Sequence, residues 1–218
     1  MILMLFGPPG VGKGTQANRL TQYYRCEKFS MGDILREEVA IQSESGKKAE
    51  SHMIQGVLVP DTLIFEIVDS FLIENKANGI LFDGFPRNLN QAINLNTSLS
   101  RLNLRLNLAL EMDLDEREIS ARLLNRRYCP VCNRLYNLVS NPPRKDEVCD
   151  QCKKPLIKRE DDTETVIQKR MQVYQEETAP LTKYYKSLNC YQKVPAIGSE
   201  DDVFNNIVQV INAHNLKK

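Results

Sequence analysis

Apolar residues along the chain follow two spacings, short continuous runs and positions three or four residues apart. The continuous runs predict β-strands, and the first of them, residues 3–6, is entirely apolar. Further strands are predicted at 27–29, 80–82, 106–112 and 192–197. Continuous apolar strands are typical of a parallel sheet that is covered on both faces.

The segments between these strands have helical spacing. The clearest is Asp61–Asn75, in which six apolar residues recur at helical intervals and Asp61 is the predicted N-cap. The other helices are predicted at residues 15–24, 32–39, 45–55, 116–127, 163–177 and 201–212. Because strands alternate with helices, the fold class is α/β, a parallel sheet with flanking helices and right-handed crossovers.

Composition narrows the function classes. The 218 residues can bury a sizeable core, and the net charge of +1 gives no overall attraction to nucleic acid or membrane. The N-terminal apolar run is too short for a secretion signal, has nothing basic before it and is followed by Gly-Pro-Pro-Gly. No run approaches the roughly 20 apolar residues of a membrane span. We therefore expect a cytoplasmic protein with neither nucleic acid nor membrane as a partner.

A glycine-rich turn joins the first strand to the first helix. Residues 7–13 read Gly-Pro-Pro-Gly-Val-Gly-Lys and fit G-x-x-x-x-G-K, the phosphate-binding loop. Glycines let backbone N–H groups turn toward an anion, the helix N-terminus adds its positive end, and Lys13 adds a charge. The alternative is an ordinary turn with a surface lysine. Gly14 stands where the general pattern has Ser or Thr, so Thr15 is displaced from the usual Mg²⁺-binding position.

Other candidate site residues are charged side chains that could bind phosphate or Mg²⁺. Asp83 ends an apolar strand, where a carboxylate can hold Mg²⁺ or simply begin a turn. Arg122 and Arg126 are four residues apart, so on the predicted helix 116–127 they share a face. Such a face lies in water or meets an anion. Arginine forks suit phosphoryl transfer, and the arginines singled out are Arg36, Arg87, Arg122, Arg126, Arg159 and Arg170.

Four of the six cysteines have the spacing C-x2-C-x16-C-x2-C. They are Cys129, Cys132, Cys149 and Cys152. This spacing predicts a site in which four thiolates hold one Zn²⁺, and a closed four-cysteine site is structural. Disulfides or four unrelated thiols are the alternatives, and a cytoplasmic location disfavours the first.

Together, these motifs resemble the adenylate kinase family in its long-lid form with a zinc-binding lid. The similarity covers nearly the whole chain. The matching segments are 7–16 (GPPGVGKGTQ), 32–36 (GDILR), 83–87 (DGFPR) with Gln91, Arg122 with 125–127 (NRR), the cysteines, and 159–162 (REDD) with 169–170 (KR). Gly14-Thr15 after the lysine is itself the form that this family uses.

The resemblance implies three parts. A core with the phosphate-binding loop comprises residues 1–29, 60–122 and 163–218, an inserted helical AMP-binding subdomain spans 30–59, and the lid spans 123–162. It also implies a monomeric enzyme that transfers the terminal phosphoryl group of ATP to AMP, giving two ADP. The expected cofactors are Mg²⁺ with ATP and a structural Zn²⁺.

The same resemblance assigns roles to residues. ATP is expected at Gly10, Val11, Gly12, Lys13, Gly14, Thr15, Arg122, Arg126, Leu135, Tyr136, Gly198 and Glu200. AMP is expected at Met31, Arg36, Val57, Leu58, Val59, Gly84, Phe85, Pro86, Arg87, Gln91, Arg159 and Arg170. The implied catalytic residues are Lys13, Asp83, Arg87, Arg126, Arg159 and Arg170.

Three positions depart from the family pattern. Met31 stands where the family usually has Thr, and Ile197 precedes Gly198 where Asp is common. Asn88 stands where adenylate kinases often have Thr, as in pyrimidine monophosphate kinases, so a kinase for UMP or CMP is an alternative. A nucleic-acid-binding zinc ribbon fused to a phosphate-loop domain is another, disfavoured by net charge. A GTPase lacks support, because no Asn-Lys-x-Asp motif is present.

Overall fold

The computed structural model describes residues 1–214 and contains a five-stranded parallel sheet in the order β2-β3-β1-β4-β7. β5 and β6 form a separate antiparallel hairpin. The strands are β1 (Ile2–Phe6), β2 (Glu27–Ser30), β3 (Ile80–Asp83), β4 (Leu108–Asp113), β5 (Arg126–Tyr128), β6 (Leu135–Asn137) and β7 (Tyr191–Pro195). Because the strand order reverses at β1, its carboxyl end is where such sheets bind ligands.

Helices cover both faces of this sheet. They are α1 (Lys13–Tyr24), α2 (Met31–Ala40), α3 (Glu44–Gln55), α4 (Asp61–Asn75), α5 (Leu89–Arg101), α6 (Glu116–Leu124), α7 (Glu164–Val173), α8 (Leu181–Ser187) and α9 (Glu200–Ala213). A π-helix, Tyr174–Thr178, extends α7. Within residues 1–214, no helix has the length and apolar character needed to cross a membrane.

The alternating side chains of β1 divide the core in two. Met4 and Phe6 pack with residues of α4, α5 and α8, whereas Leu3 and Leu5 pack with residues of α1, α6, α7 and α9. All four are almost completely buried, and burial of such a side chain contributes about 1.5–3 kcal/mol. This burial holds β1 rigidly, and with it the start of the glycine-rich turn.

The five predicted strands of the sheet are confirmed, as are the seven predicted helices in position. Two helices, α5 and α8, and the β5–β6 hairpin were not predicted. α5 is rich in Asn, Gln and Ser, which favour helices weakly. It forms because Ala92, Leu95 and Leu99 are buried at helical spacing and because the Asn88 side chain accepts a hydrogen bond from the Gln91 backbone.

Three predicted helix ends were wrong. Pro60, not Asp61, is the N-cap of α4, because the Asp61 carboxylate instead accepts hydrogen bonds from side chains at the start of α5. α6 ends at Leu124, where Asn125 caps it and the chain enters β5. The predicted helix 163–177 is α-helical only to Val173.

The predicted lid region has a small core of its own. Cys129, Tyr136, Cys149 and Leu156 are buried against one another, separately from the two clusters of the sheet. The hairpin β5–β6 pairs with this region through an isolated bridge between Tyr128 and Ile157. The last four residues of the predicted core segment 163–218 lie outside the described residues.

Candidate active site

The glycine-rich turn lies at the carboxyl end of β1 and wraps tightly against neighbouring elements. Gly7 has φ +142°, and a β-carbon there would lie 2.3 Å from the Met112 carbonyl oxygen. Gly10 has φ +82°, and a β-carbon there would lie 2.6 Å from Leu123 Cγ. Only glycine fits both positions. The turn therefore presents backbone to the space above it, as a phosphate-binding loop requires.

Lys13 curls back over this loop. Its Nζ donates hydrogen bonds of 2.8 Å to the carbonyl oxygens of Gly7 and Pro8. Burial lowers its pKa to about 7, against the opposing effect of the Asp83 carboxylate, while Arg87 lowers it further. Burial also raises the pKa of Asp83. The parallel pairing of Leu5 with Asp83 brings β3 beside the loop, so the predicted lysine and carboxylate belong to one site.

Guanidinium groups from distant parts of the chain surround the same space. Arg36 and Arg87 both lie against Gly32, where a β-carbon would be 3.3 Å from Arg36 Nη1 and 3.6 Å from Arg87 Nη2. Burial, with the charges of Arg170 and Arg36, lowers the pKa of Arg87 to about 10. Burial, with the charges of Arg126 and Arg36, lowers that of Arg159 to about 9. Five arginines that repel one another form an arrangement that a polyphosphate stabilises.

Acidic residues hold several of these arginines in place. Arg126 Nε and Nη2 form a two-point pair with Asp162, at 2.7 and 2.5 Å. Arg170 Nη1 donates to Asp161 at 3.0 Å. Although burial opposes it, the charge of Arg170 holds the pKa of Asp161 below its usual value. The two aspartates belong to the REDD segment, but the sequence did not indicate what they contact.

Arg122 and Arg126 do not share a helix face, so that prediction was wrong. Arg122 is in the last turn of α6, and its guanidinium donates to the Val11 and Ala196 carbonyl oxygens, both at 3.3 Å. Arg126 begins β5. The chain turns at Asn125, whose carbonyl accepts a hydrogen bond from Leu138 N. The two arginines therefore reach the loop from different directions.

The other residues expected to contact ATP lie in two places, on β6 (Leu135 and Tyr136) and near the start of α9 (Gly198 and Glu200). Leu135 Cδ1 lies 3.7 Å from the position of a β-carbon on Gly14, so it lies above the loop. The Tyr136 side chain faces the interior of the predicted lid region, where its hydroxyl donates a hydrogen bond of 3.5 Å to Cys149 Sγ. Glu200 begins α9, and its carbonyl accepts a hydrogen bond of 2.9 Å from Gln16 Nε2. Gly198 adjoins it with φ +97°.

An open cleft of about 390 Å³ lies beside the expected acceptor residues. It is lined on one side by 57–61 and Asn88, and on the other by Lys169, Val173, Glu176 and Glu177. Gly84, Phe85 and Pro86 follow β3, with Phe85 buried and a cis peptide bond before Pro86. Met31 is only 3% exposed and packs in the core with Phe29 and Leu35.

The four predicted metal-ligand cysteines come together. Their sulfur atoms all lie within 4.8 Å of one another, and none forms a disulfide. Each pair lies in the same backbone turn: Cys129 N donates to Arg134 O, and Cys149 N donates to Lys154 O, both at 2.9 Å. Four convergent thiols are the donor set that suits a tetrahedral Zn²⁺. The cluster therefore has the geometry, as well as the sequence spacing, of a group that could hold a metal ion.

One residue that contacts the arginine cluster, through Arg87, was not predicted. Thr178, at the end of the π-helix, donates a hydrogen bond of 2.6 Å to the Arg87 carbonyl oxygen. A π-helix is uncommon and is frequently found at functional sites. No periodicity in the sequence distinguishes this segment from the end of an ordinary helix.

A phosphate-binding loop at the switch point of a parallel sheet, with a buried lysine and converging arginines, defines a nucleotide phosphotransferase. The family model described as "Adenylate kinase" matches residues 5–190. Proteins named adenylate kinase are similar over nearly the whole chain. A Hydrogenobaculum species has one that is 44% identical over 97% of this chain and 100% of its own length.

Other relatives agree. The adenylate kinase of Thermodesulfovibrio yellowstonii is 40% identical over 97% of this chain and 99% of its own, and that of Geobacter sulfurreducens is 39% identical over 99% and 100%. The chain belongs to the adenylate kinase family. It is an enzyme that transfers the terminal phosphoryl group of ATP to AMP and gives two ADP.

Proposed function

We propose that the chain carries out this transfer across the space between the glycine-rich loop and the arginine cluster. The convergence of Lys13 with Arg36, Arg87, Arg126, Arg159 and Arg170 carries the proposal, since their charges perturb one another's pKa values. The core, insert and lid then correspond to residues 1–29 with 60–122 and 163–218, to 30–59, and to 123–162. The protein acts as a cytoplasmic monomer.

The donor nucleotide lies on the loop and under the lid. Gly10 to Thr15 bind the ATP phosphates through backbone N–H groups and the helix dipole. Arg122 and Leu135 approach from α6 and β6, and Tyr136 contributes its backbone. Gly198 and Glu200 contact the adenine. The buried Asp83 carboxylate is the oxygen donor that fits Mg²⁺. When it is bound, this ion neutralises charge on the phosphates.

The acceptor nucleotide lies in the cleft of about 390 Å³. Its base contacts 57–59 and Gln91, close to Met31, and residues 84–86 belong to the same acceptor site. Its phosphate meets Arg36 and Arg87, while Arg159 and Arg170 hold the transferred group. The Nε of Arg159 is buried and has no hydrogen-bond partner within residues 1–214. A buried donor of this kind costs about 1–3 kcal/mol, which a phosphate oxygen offsets.

The chemistry needs no general base. The second pKa of a phosphate monoester is roughly 6, so an AMP phosphate oxygen is already anionic near neutral pH. Catalysis is positioning together with stabilisation of the charge that moves during transfer. Closure of the lid excludes water, which would otherwise accept the phosphoryl group. The cysteine cluster, when it holds Zn²⁺, stiffens that lid because the lid core is small.

A coupled assay of ADP formation from ATP with AMP, CMP, UMP and GMP tests this proposal. AMP is expected to be the preferred acceptor, and preference for CMP or UMP would support the pyrimidine kinase alternative. Lys13→Ala is expected to lower kcat by about 10²–10³ with normal circular dichroism. The control is Lys193→Ala, which removes an exposed lysine paired with Asp113. A loss of only a few-fold in Lys13→Ala would contradict its role.

Arg87→Ala tests the division between the two nucleotides. The KM for AMP is expected to rise far more than the KM for ATP, with a lower kcat, because an arginine fork both binds and orients the acceptor phosphate. Equal increases in the two KM values would place Arg87 outside the acceptor site.

A further inference from the structure

The side-chain amide of Gln91 is held at both ends. Its Oε1 accepts a hydrogen bond of 2.8 Å from the Arg87 backbone N–H. Its Nε2 donates one of 2.7 Å to Asp61 Oδ1. The residue is only 2% exposed, so these contacts form in a buried environment where hydrogen bonds strongly restrict orientation.

The two partners leave no choice of orientation. A backbone N–H can only donate, and an ionised carboxylate can only accept. If the amide turned over, its NH₂ group would face the Arg87 N–H and its oxygen would face the Asp61 carboxylate, so both hydrogen bonds would be lost. The donor on Arg87 and the acceptor on Asp61 therefore determine which way the Gln91 side-chain amide faces.

Asp61 accepts hydrogen bonds from several side chains at the start of α5. Besides Gln91, its carboxylate accepts hydrogen bonds from Asn90 Nδ2 at 2.6 Å and from Asn88 Nδ2 at 3.2 Å. Asn88 in turn caps α5 by accepting from the Gln91 backbone N–H. Three amide groups thus converge on one carboxylate at the start of α4, and Asp61 and Asn88 line the acceptor cleft.

We infer that Asp61 is a specificity-determining residue that fixes the Gln91 amide so that the acceptor site prefers a 6-aminopurine to a 6-oxopurine. This inference rests on the proposed function, in which Gln91 contacts the acceptor base. Each end of the amide retains one hydrogen-bonding position, an N–H on Nε2 and a lone pair on Oε1.

The free N–H on Nε2 and the free lone pair on Oε1 match the hydrogen-bonding pattern of a 6-aminopurine. Adenine offers an acceptor at N1 and a donor at its 6-amino group, which pair with an amide N–H and an amide oxygen. Hypoxanthine, with a 6-oxo group and a protonated N1, offers the opposite pattern and needs a reversed amide. A site whose buried polar groups stay unpaired rejects the ligand. Asp61 opposes that reversal, so it acts on specificity without needing to touch the base.

The test compares AMP with inosine monophosphate as acceptor, in the full chain with ATP as donor. Asp61→Ala is expected to lower the AMP/IMP ratio of kcat/KM about tenfold, because the anchor lost is a charge-assisted hydrogen bond. Asp61→Asn, which keeps one acceptor oxygen, is expected to lower the ratio by a smaller factor. Melting temperatures are measured for each variant.

Asp69→Ala is the matched control. Asp69 lies on the same helix and accepts a hydrogen bond of 2.6 Å from Ser98 on α5, so it joins the same two helices away from Gln91. This variant is expected to keep the AMP/IMP ratio of the wild type. A purely structural role for Asp61 would lower kcat/KM equally for both acceptors, and that result would overturn the inference.

The two levels of proposal fail differently. If the wild-type protein does not phosphorylate AMP, the proposed function is wrong. If it does, and both Asp61 variants keep the wild-type ratio, only the role of Asp61 is wrong. If Asp61→Ala does not fold, the nearly isosteric Asp61→Asn variant decides, and an unchanged ratio in it overturns the inference.

Discussion

Thr178 and Arg87 are joined by a hydrogen bond of 2.6 Å from the threonine hydroxyl to the arginine carbonyl oxygen. The π-helix that carries Thr178 is itself anchored, since Tyr174 Oη lies 3.4 Å from Glu111 Oε1 on β4. The same carboxylate accepts a hydrogen bond of 2.6 Å from Thr182. The backbone of a proposed acceptor-site arginine is thus held by the π-helix that follows α7.

Replacement of Thr178 by valine is expected to raise the KM for AMP by about 3- to 10-fold, with a smaller effect on the KM for ATP. Valine keeps the shape but loses a buried hydrogen bond of about 1 kcal/mol, so Arg87 is held less firmly. Steady-state kinetics with each nucleotide varied in turn measure this. Thr182→Val is the control, and if it raises the KM for AMP as much, the effect comes from general loosening.

Lys13 is expected to take up a proton when ATP binds at about pH 8.5. Burial lowers its pKa to about 7 in the free protein, so the amine is mostly neutral there, and contact with phosphate oxygens favours the charged form. Calorimetry in two buffers of different ionisation enthalpy should show uptake of up to about one proton. Lys13→Arg stays charged and should show clearly smaller uptake, so equal uptake in the two proteins would contradict this assignment.

The cysteine cluster is expected to hold one zinc per chain. Replacement of Cys129 and Cys132 by serine should lower the melting temperature by roughly 5–10 °C and make it insensitive to chelators, because a structural metal contributes directly to folding. Elemental analysis and thermal unfolding with and without chelator measure this, with Cys190→Ser as the control. Absence of metal together with a disulfide between the two pairs would refute the zinc site.

Met31→Thr is expected to raise the AMP/CMP ratio of kcat/KM by a factor of about 2 to 13. A hydroxyl near the base adds a hydrogen bond of about 0.5–1.5 kcal/mol that methionine does not offer. The side chain is buried with Phe29, Leu35 and Phe85, so the melting temperature is measured in parallel. An unchanged or lower ratio with a lower melting temperature would show that Met31 serves packing alone.

Features that are local in the chain could be predicted from the order of its residues. The strand of residues 3–6, the glycine-rich turn and Lys13 are contiguous, so apolar run, turn and helix start could be read in order. The C-x2-C pairs could be predicted as metal ligands in the same way, because each turn is only a few residues long and brings two sulfurs together. The α/β class followed from the alternation of such segments.

Contacts between residues that are distant in the chain became visible only in the folded structure. Arg126 lies beyond the end of α6 because Leu138 N donates a hydrogen bond to the Asn125 carbonyl oxygen. Its partner Asp162 lies 36 residues further along the chain. The Tyr136 side chain faces the cysteines, and the Thr178 hydroxyl binds the Arg87 carbonyl oxygen although the two residues lie 91 positions apart. The helical pattern predicted that Asp61 caps α4, but its carboxylate accepts a hydrogen bond from the Gln91 side chain instead. Such contacts depend on how separate elements pack, and packing brings together residues that no local pattern relates.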